Sequence, residues 1–259
     1  MRFTFPLALT FLTIIPWPRQ GLAGSGDLAR SMFWFPWVGA LLGLIYWGAW
    51  AGLGRIFPAP AAAALLLALT VISTRGLHLD GLADTVDGLG GGRDHEARLR
   101  IMKDSALGAF GAASLILALL VKYAFFLSLG AGGAGRIFFF FPVVSRWGMV
   151  LLAYLSPYAR KEGGLGQAMT LGVTGPVVWG ATLGAGAMAL LAAGPAGVVL
   201  MAAAGGVVLL MKFYFAQKLG GITGDVLGAA NEVLEILALS GGLVLALFGR
   251  EVLVFPLFW

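Results

Sequence analysis

The sequence predicts an all-α fold, a polytopic membrane helical bundle, from its composition, its scarcity of charge and its long apolar runs. Of its 259 residues, 59% are hydrophobic and 11% are charged, whereas soluble domains carry about 25% charged residues. A soluble fold of this size would need more charge on its surface. The 40 glycines lie inside runs of Leu, Ala and Val, which favours close packing of helices in a lipid bilayer.

Seven apolar runs predict about seven transmembrane helices, since crossing a bilayer core takes about 20 residues. The second run is the shortest and is rich in alanine. The chain shows no separate hydrophilic domain, so residues 1–259 are interpreted as one integral membrane domain. The runs are residues 32–53, 59–75, 106–129, 136–156, 171–193, 196–216 and 224–248.

A shorter apolar stretch precedes these runs, from Phe3 to Ile15, and continues into Pro16, Trp17 and Pro18. It is too short to cross a bilayer as a helix. We expect a re-entrant or interfacial segment here, with an uncleaved membrane anchor as the alternative.

The basic residues predict the orientation, because cytoplasmic loops of membrane proteins are enriched in Lys and Arg. Threading the seven runs outward from a cytoplasmic segment 76–104 places segment 218–225 on the same face. Twelve basic residues fall on that face, against Arg55, Arg136 and Arg250 on the other. The twelve are Arg2, Arg19, Arg30, Arg75, Arg93, Arg98, Arg100, Lys103, Arg160, Lys161, Lys212 and Lys218.

The same basic residues are scattered singly along the chain, which argues against nucleic acid as a partner. The sequence contains no cysteine. Disulfides and thiolate metal sites are therefore excluded, and any metal must be held by oxygen or imidazole. The expected surroundings are the lipid bilayer, and a homo-oligomer is compatible with this architecture.

Acidic residues concentrate in one polar segment, where six of the twelve lie between His78 and Asp104. Asp80, Asp84 and Asp87 are spaced i, i+4 and i+7, so on a helix they share one face. Their mutual repulsion is relieved by a divalent cation such as Mg²⁺, which takes carboxylate oxygens as ligands. The alternative is a solvated charged face, and for Asp104 the alternative is capping of the next helix.

A glycine-rich run follows this acidic helix, from Gly88 to Arg93. Its backbone N–H groups and the guanidinium predict a phosphate cradle at Gly90, Gly91 and Arg93, with a flexible hinge as the alternative. Residues 94–103 then form an amphipathic pattern that is typical of an interfacial helix.

The second polar segment, residues 220–235, contains Thr223, Gly224 and Asp225, followed by Glu232. Asp225 is interpreted as a metal ligand or as the cap of the last helix. Glu232 lies about two turns into an apolar run, where an ionisable residue is costly and predicts a functional role.

Three further polar residues lie in or beside apolar runs. Arg146 is placed in mid-span, where it either contacts a phosphate or pairs with Glu232. Lys122 lies nearer a helix end and is expected to extend toward the membrane surface. His78 is a candidate metal ligand or base, with a structural role as the alternative.

Three of these motifs resemble those of the cobalamin synthase family, also called adenosylcobinamide-GDP ribazoletransferases. They are HLDGLADT from His78, IMKDS from Ile101 and GGITGDVLGA from Gly220. Ser145-Arg146 and the run from Tyr158 to Gly166 are also similar to the family's pattern.

The resemblance implies a polytopic, Mg²⁺-dependent enzyme of the inner (cytoplasmic) membrane that acts in vitamin B12 synthesis. Members join adenosylcobinamide-GDP to α-ribazole or α-ribazole 5′-phosphate and release GMP. On this basis His78 or a carboxylate such as Asp84 would accept the proton of the attacking hydroxyl, and Arg93 and Arg146 would contact phosphate. Gly90, Gly91, Thr223 and Gly224 would lie at the substrate. The predicted metal ligands are Asp80, Asp84, Asp87, Asp104, Asp225 and Glu232.

Two alternative functions stay open from the sequence. CDP-alcohol phosphotransferases also gather aspartates at a membrane surface, but after Asp80, Gly81, Leu82 and Ala83 this chain has Asp84 where their motif has arginine. A cation transporter would place acids along its pathway near the middle of several spans, whereas here they gather at one face.

Overall fold

In the computed structural model of the protein, residues 4–18, 25–131, 135–161 and 165–252 are described. Within these ranges the chain is α-helical, apart from one isolated parallel bridge between Tyr158 and Ile222, which confirms the all-α prediction. The helices are α1 Thr4–Leu12, α2 Ser25–Ser31, a 3₁₀ turn Met32–Trp34, α3 Phe35–Leu53, α4 Ala59–Ser73, α5 Leu77–Gly91, α6 His95–Ile101, α7 Ala109–Ala131, α8 Arg136–Leu155, α9 Leu165–Gly172, α10 Gly175–Leu219 and α11 Gly224–Val252.

Helix α8 forms the centre of the bundle and packs against α3, α10 and α11. Most of its residues between Ile137 and Ala153 are buried, as expected of a helix with neighbours on several sides. Against α3 the two backbones touch, because a Cβ at Gly39 or Gly43 would lie within 2.3 Å of the carbonyl oxygens of Pro142 or Phe139. Glycine at these two positions therefore permits the close approach of α3 to α8.

Helix α10 is a helical hairpin, because its path breaks at Ala193 and Gly194, which have non-helical backbone angles. Trp147 of α8 contacts both arms: its indole Nε1 donates to Thr182 Oγ1 at 2.9 Å, and its ring lies 3.4 Å from a Cβ built on Gly205. Thr182 and Gly205 lie on opposite sides of the break, at similar distances from it in the sequence. The predicted spans 171–193 and 196–216 correspond to the two arms.

The protein is a multi-pass membrane protein by the length and composition of its helices. Five described segments are long and apolar enough to cross a bilayer: Gly26–Leu53, Ala109–Gly130, Arg136–Leu155, Gly175–Leu219 and Gly224–Leu247. The prediction that residues 59–75 form a full span by themselves is wrong. Helix α4 has 15 residues, about 22 Å, which is shorter than a bilayer core of about 30 Å.

Helix α5 turns by 85° from α4 and packs against α11 and α7. The turn places Arg75 and Gly76 in the left-handed region, with φ of 56° and 66°. Glycine adopts this conformation without strain, whereas a residue with a Cβ is uncommon there. The bend lays the acidic face of α5 along one end of the bundle.

Helix α1 has nine residues and is too short to cross a bilayer, as predicted. It packs beside the α4–α5 turn, where the Ile14 N–H donates to the Ser73 carbonyl at 2.7 Å and Arg75 Nη2 donates to the Thr10 carbonyl at 3.0 Å. Phe3, Arg2 and Arg19, which entered the sequence predictions, lie outside the described residues.

Candidate active site

The site forms where α5 crosses the first turns of α11. A Cβ on Gly81 would lie 2.6 Å from the Asp225 carbonyl oxygen, and a Cβ on Gly228 would lie 3.3 Å from the His78 Cα. The two helices therefore touch backbone to backbone at these glycines. This contact places Asp80 and Asp84 of α5 beside Asp225 of α11, as the shared-face spacing and the second acidic motif predicted.

Two loops far apart in sequence complete the site. The Ala159 N–H donates to the Ile222 carbonyl and the Ile222 N–H donates to the Pro157 carbonyl, both at 2.9 Å. A Cβ on Gly221 would lie 2.4 Å from the Pro157 carbonyl oxygen, so a glycine is required where the loops meet.

The joined loops bring Arg160 to Asp225, and Arg160 Nη2 donates to Asp225 Oδ2 at 2.7 Å. The Thr223 hydroxyl also donates to this oxygen, at 3.2 Å, and it accepts from the Val226 N–H at 3.3 Å. Thr223 therefore caps α11 while Arg160 holds the Asp225 carboxylate. Arg160 was not among the predicted site residues, and its signal in the sequence was the motif that begins at Tyr158.

The crowding of carboxylates changes their acidity. Burial raises the pKa of Asp84 to about 6, and the negative charges of Asp80 and Asp225 act in the same direction. Burial also raises the pKa of the Tyr158 phenol. A carboxylate whose charge is disfavoured in this way gains most from a bound cation.

The donor chemistry of Asp80, Asp84 and Asp225 fits Mg²⁺, which prefers carboxylate oxygens. Within the described residues, no group of three or more His, Asp or Glu is positioned to hold a metal ion by itself. Mg²⁺ is usually held by one or two carboxylates together with substrate phosphates and water. The site therefore fits an ion that is bound jointly with a phosphate-containing substrate.

Two cavities meet at these carboxylates. One of about 270 Å³ is lined by His78, Asp80, Gly224 and Asp225 among others. The other, of about 570 Å³ and more open, is lined by Asp80 and Asp84. Asp80 thus lies on the wall that the two cavities share.

Comparison with known proteins identifies the family. The pattern of the CobS family, described as cobalamin-5-phosphate synthase, matches residues 4–243. The chain belongs to the cobalamin-5-phosphate synthase family. The match spans all three motifs that carry the resemblance seen in the sequence.

Relatives in this family are similar to the chain over nearly its whole length. An adenosylcobinamide-GDP ribazoletransferase from Syntrophobacter fumaroxidans is 43% identical, over 91% of this chain and 96% of its own. Proteins of the same name from Pseudomonas putida and Chlorobium phaeobacteroides are each 40% identical and cover 92% and 93% of this chain and 97% of their own lengths. No solved structure matches the chain.

In this member of the cobalamin-5-phosphate synthase family, Asp87 has a clear structural partner. Its two carboxylate oxygens accept from the Gly108 and Gly111 N–H groups, both at 2.8 Å, so Asp87 anchors the start of α7. Asp104, the residue whose alternative role was to cap that helix, is exposed and accepts from the Ala106 N–H at 3.1 Å. The structure brings neither carboxylate to the cavity walls formed by Asp80, Asp84 and Asp225.

The predicted phosphate cradle does not form an open loop. Gly90 and Gly91 lie in the last turn of α5, and a Cβ on Gly90 would lie 2.6 Å from the Phe110 ring. These glycines therefore allow close packing. Arg93 is exposed and lines a separate open depression with residues 94–96 and Arg98. Asp94 caps α6 through the Ala97 N–H at 2.8 Å.

Glu232 and Arg146 belong to a buried network of charges between α7, α8 and α11. Lys122 Nζ donates to Glu232 Oε2 and to Glu235 Oε2, both at 2.5 Å, and Arg146 donates to Glu235. Asn231 Nδ2 donates to Glu235 Oε1 at 3.1 Å. The expectation that Lys122 reaches the membrane surface is wrong, because its side chain is 4% exposed. Arg146 pairs with Glu235 and not with Glu232.

His78 lies between this network and the carboxylates. It lines the 270 Å³ cavity and also a small space beside Lys122, Arg146 and Glu235. Burial lowers the pKa of His78 well below its usual value, so its imidazole is neutral at physiological pH. The same burial disfavours the protonated imidazole, so His78 is a weaker base here than a histidine in water.

The two polar segments share one end of the bundle, as the distribution of basic residues predicted. His95 Nε2 of α6 lies 2.9 Å from the Gln217 carbonyl oxygen, and Arg98 Nη1 donates to the Lys218 carbonyl at 2.9 Å. Helix α6 therefore packs against the end of α10 that leads into the Asp225 loop.

Proposed function

We propose that the chain is an adenosylcobinamide-GDP ribazoletransferase. It joins adenosylcobinamide-GDP to α-ribazole or α-ribazole 5′-phosphate and releases GMP. The observation that carries the proposal is the cluster of Asp80, Asp84 and Asp225 on the walls of two adjoining cavities. Relatives of that name match the chain over 91% and 92% of its length.

The reaction forms a bond from a ribose hydroxyl oxygen of the acceptor to the phosphorus next to cobinamide. The bond from that phosphorus to the bridging oxygen breaks, and GMP leaves with the electron pair. Negative charge on the diphosphate must be neutralised and the hydroxyl must be held in line. A Mg²⁺ ion held by Asp80 and Asp84, with Asp225 opposite them, would supply this neutralisation.

The residues of the chain supply position and proton transfer. Arg160 holds Asp225 in place by its 2.7 Å bond and has further N–H donors that suit phosphate oxygens. The proton of the attacking hydroxyl goes to His78 or to the Asp84 carboxylate, since these residues line the two cavities that share Asp80.

The proposed location is the inner (cytoplasmic) membrane with the active site on the cytoplasmic face. Its support is the concentration of basic residues at the end of the bundle that carries the site, since such residues favour the cytoplasmic side.

The test is release of GMP by the purified protein from adenosylcobinamide-GDP and α-ribazole, with Mg²⁺ and with a chelator. We expect Asp84→Asn to lower the rate by about 100-fold or more, the usual effect of removing a group that stabilises charge in a transition state. Glu96→Gln is the matched control, because it removes one exposed carboxylate charge on α6 and should leave the rate unchanged. Near-normal turnover by Asp84→Asn would contradict the assignment of Asp84, and ion flux in liposomes without GMP release would favour a transporter.

A further inference from the structure

The two cavities on either side of α5 differ in chemistry. The 270 Å³ cavity combines apolar side chains, including Met149 and Met169, with glycines and polar side chains. The 570 Å³ cavity carries Arg75 and Asp84 on its wall and is more open. Asp80 lines both, so ligands in the two cavities would meet at this residue.

Part of the wall of the smaller cavity is apolar and adaptable. Met149 and Met169 are each 2% exposed, and methionine adapts its shape to a packed ligand. Gly166 and Gly224 form another part of the wall, and a Cβ on Gly166 would lie 2.7 Å from the Gly224 nitrogen. Backbone and flexible apolar side chains together suit a flat, uncharged aromatic group.

Polar groups also line this cavity, and His78 is one of them. Tyr158 and Arg160 lie there with Asp80 and Asp225. A ligand in this cavity would have its apolar part at the methionines and its hydroxyl groups at the carboxylates, where the proposed reaction takes place.

We infer, resting on the proposed ribazoletransferase activity, that the 270 Å³ cavity binds the α-ribazole acceptor. Its uncharged bicyclic base packs on Met149 and Met169, and its ribose hydroxyls face Asp80 and Tyr158. The diphosphate donor enters from the 570 Å³ cavity, where the Arg75 guanidinium offers charge that matches a phosphate. Asp80 then stands between acceptor and donor.

The test changes the size of the apolar pocket and measures specificity for the base. Met169→Ala enlarges the pocket, so we expect kcat/KM for the riboside of a base with one more fused ring to rise about tenfold relative to α-ribazole, a typical effect of a change in pocket size. A gain with the larger acceptor does not arise from misfolding, which lowers both rates together.

Two matched variants locate the effect. Leu171→Ala lies on α9 two residues from Met169, with a side chain that is 71% exposed, and Leu107→Ala lies in the wall of the larger cavity. Both should keep the specificity ratio of the unchanged protein. A ratio that shifts in Leu107→Ala and not in Met169→Ala would overturn the inference, as would an unchanged ratio in an active Met169→Ala protein.

A second measurement tests whether the cavity around Met169 binds the acceptor or the donor. Met169→Phe reduces the pocket, so KM for α-ribazole should rise at least severalfold while KM for adenosylcobinamide-GDP stays the same. A rise in the KM of the donor alone would contradict the assignment. Absence of GMP release from the unchanged protein would instead overturn the proposed function.

Discussion

Individual residues decide whether the acidic cluster is tolerated in the folded protein. Asp84 is partly buried, and desolvation raises its pKa, with a further increase from the charges of Asp80 and Asp225. Arg160 offsets part of this charge through Asp225. The proposed metal site therefore places at this position a charge that disfavours the folded state.

The raised pKa of Asp84 predicts how its replacement changes stability with pH. An unfolded aspartate has a pKa of about 3.9, whereas in the folded protein the value is about 6. The destabilisation by its charge therefore begins as the pH rises above about 4 and is complete above about 6. In a chelating buffer, we expect Asp84→Asn to melt at a higher temperature than the unchanged protein at pH 7.5 and at the same temperature at pH 4.

Thermal unfolding in detergent checks this expectation, with Glu96→Gln as the control that shows no difference at either pH. Added Mg²⁺ should raise the melting temperature of the unchanged protein more than that of Asp84→Asn. A lower melting temperature for Asp84→Asn at pH 7.5 without metal would show that the carboxylate stabilises the fold.

At the scale of helices, α5 organises the site because it is fixed at both ends. Its beginning packs on α11 through Gly81 and Gly228, and its last turns hold α7 through Asp87. The position of the acidic face is thereby set by two helices that are distant from each other in sequence.

Loss of the Asp87 carboxylate should loosen the start of α7. In Asp87→Ala the Gly108 and Gly111 N–H groups lose their acceptor, and an unsatisfied buried donor costs about 1–3 kcal/mol. We expect a lower free energy of unfolding and faster hydrogen exchange at these two amides. Asp87→Asn keeps one acceptor oxygen and should fall between Asp87→Ala and the unchanged protein; equal stability of all three would contradict the anchoring role.

The positions of the helices could be predicted from the sequence more fully than the contacts that individual side chains make between them. The length of an apolar run directly predicts a membrane-spanning helix. Such runs correctly predicted the positions of α3, α7, α8, both arms of α10 and α11. The partner of Asp87 or Arg146 depends on which helices pack side by side, and the local pattern around one residue carries no such information. Within the site, the spacing of Asp80 and Asp84 was enough to predict that they lie together. The contact of Arg160 with Asp225 could not be predicted in this way, because it forms only where two distant loops meet.

At the scale of the whole molecule, a balanced set of charges ties the membrane-spanning helices together. Lys122 and Arg146 oppose Glu232 and Glu235, so the buried network has no net charge. In a nonpolar interior such groups are stable only when they are paired. The network joins α7, α8 and α11 beside the site.

Removing one cation from this network should destabilise the bundle. Lys122→Met leaves a buried carboxylate without its partner, at a cost of about 3–5 kcal/mol. The double variant Lys122→Met with Glu232→Gln restores neutrality and should recover part of the loss. Denaturant unfolding in detergent measures both, and a single variant as stable as the unchanged protein would show that the pairing contributes nothing.

The orientation of the whole protein is testable with single cysteines, since the native chain has none. Glu96→Cys marks the end that carries the site, and Ile56→Cys, 74% exposed, marks the turn after α3. In intact cells an impermeant maleimide should label Ile56→Cys and leave Glu96→Cys unlabelled until the membrane is opened. The reverse pattern would place the site on the outer side.

The crossing of α5 over α11 has an electrostatic consequence for the carboxylates of the site. Asp80 lies in the first turn of α5 and Asp225 in the first turn of α11. The amino-terminal end of a helix carries a partial positive charge from its aligned peptide dipoles, worth about 0.3–1 kcal/mol to a nearby anion. Two such ends converge on the same carboxylates, so the peptide backbone itself compensates part of their charge before any cation or substrate arrives.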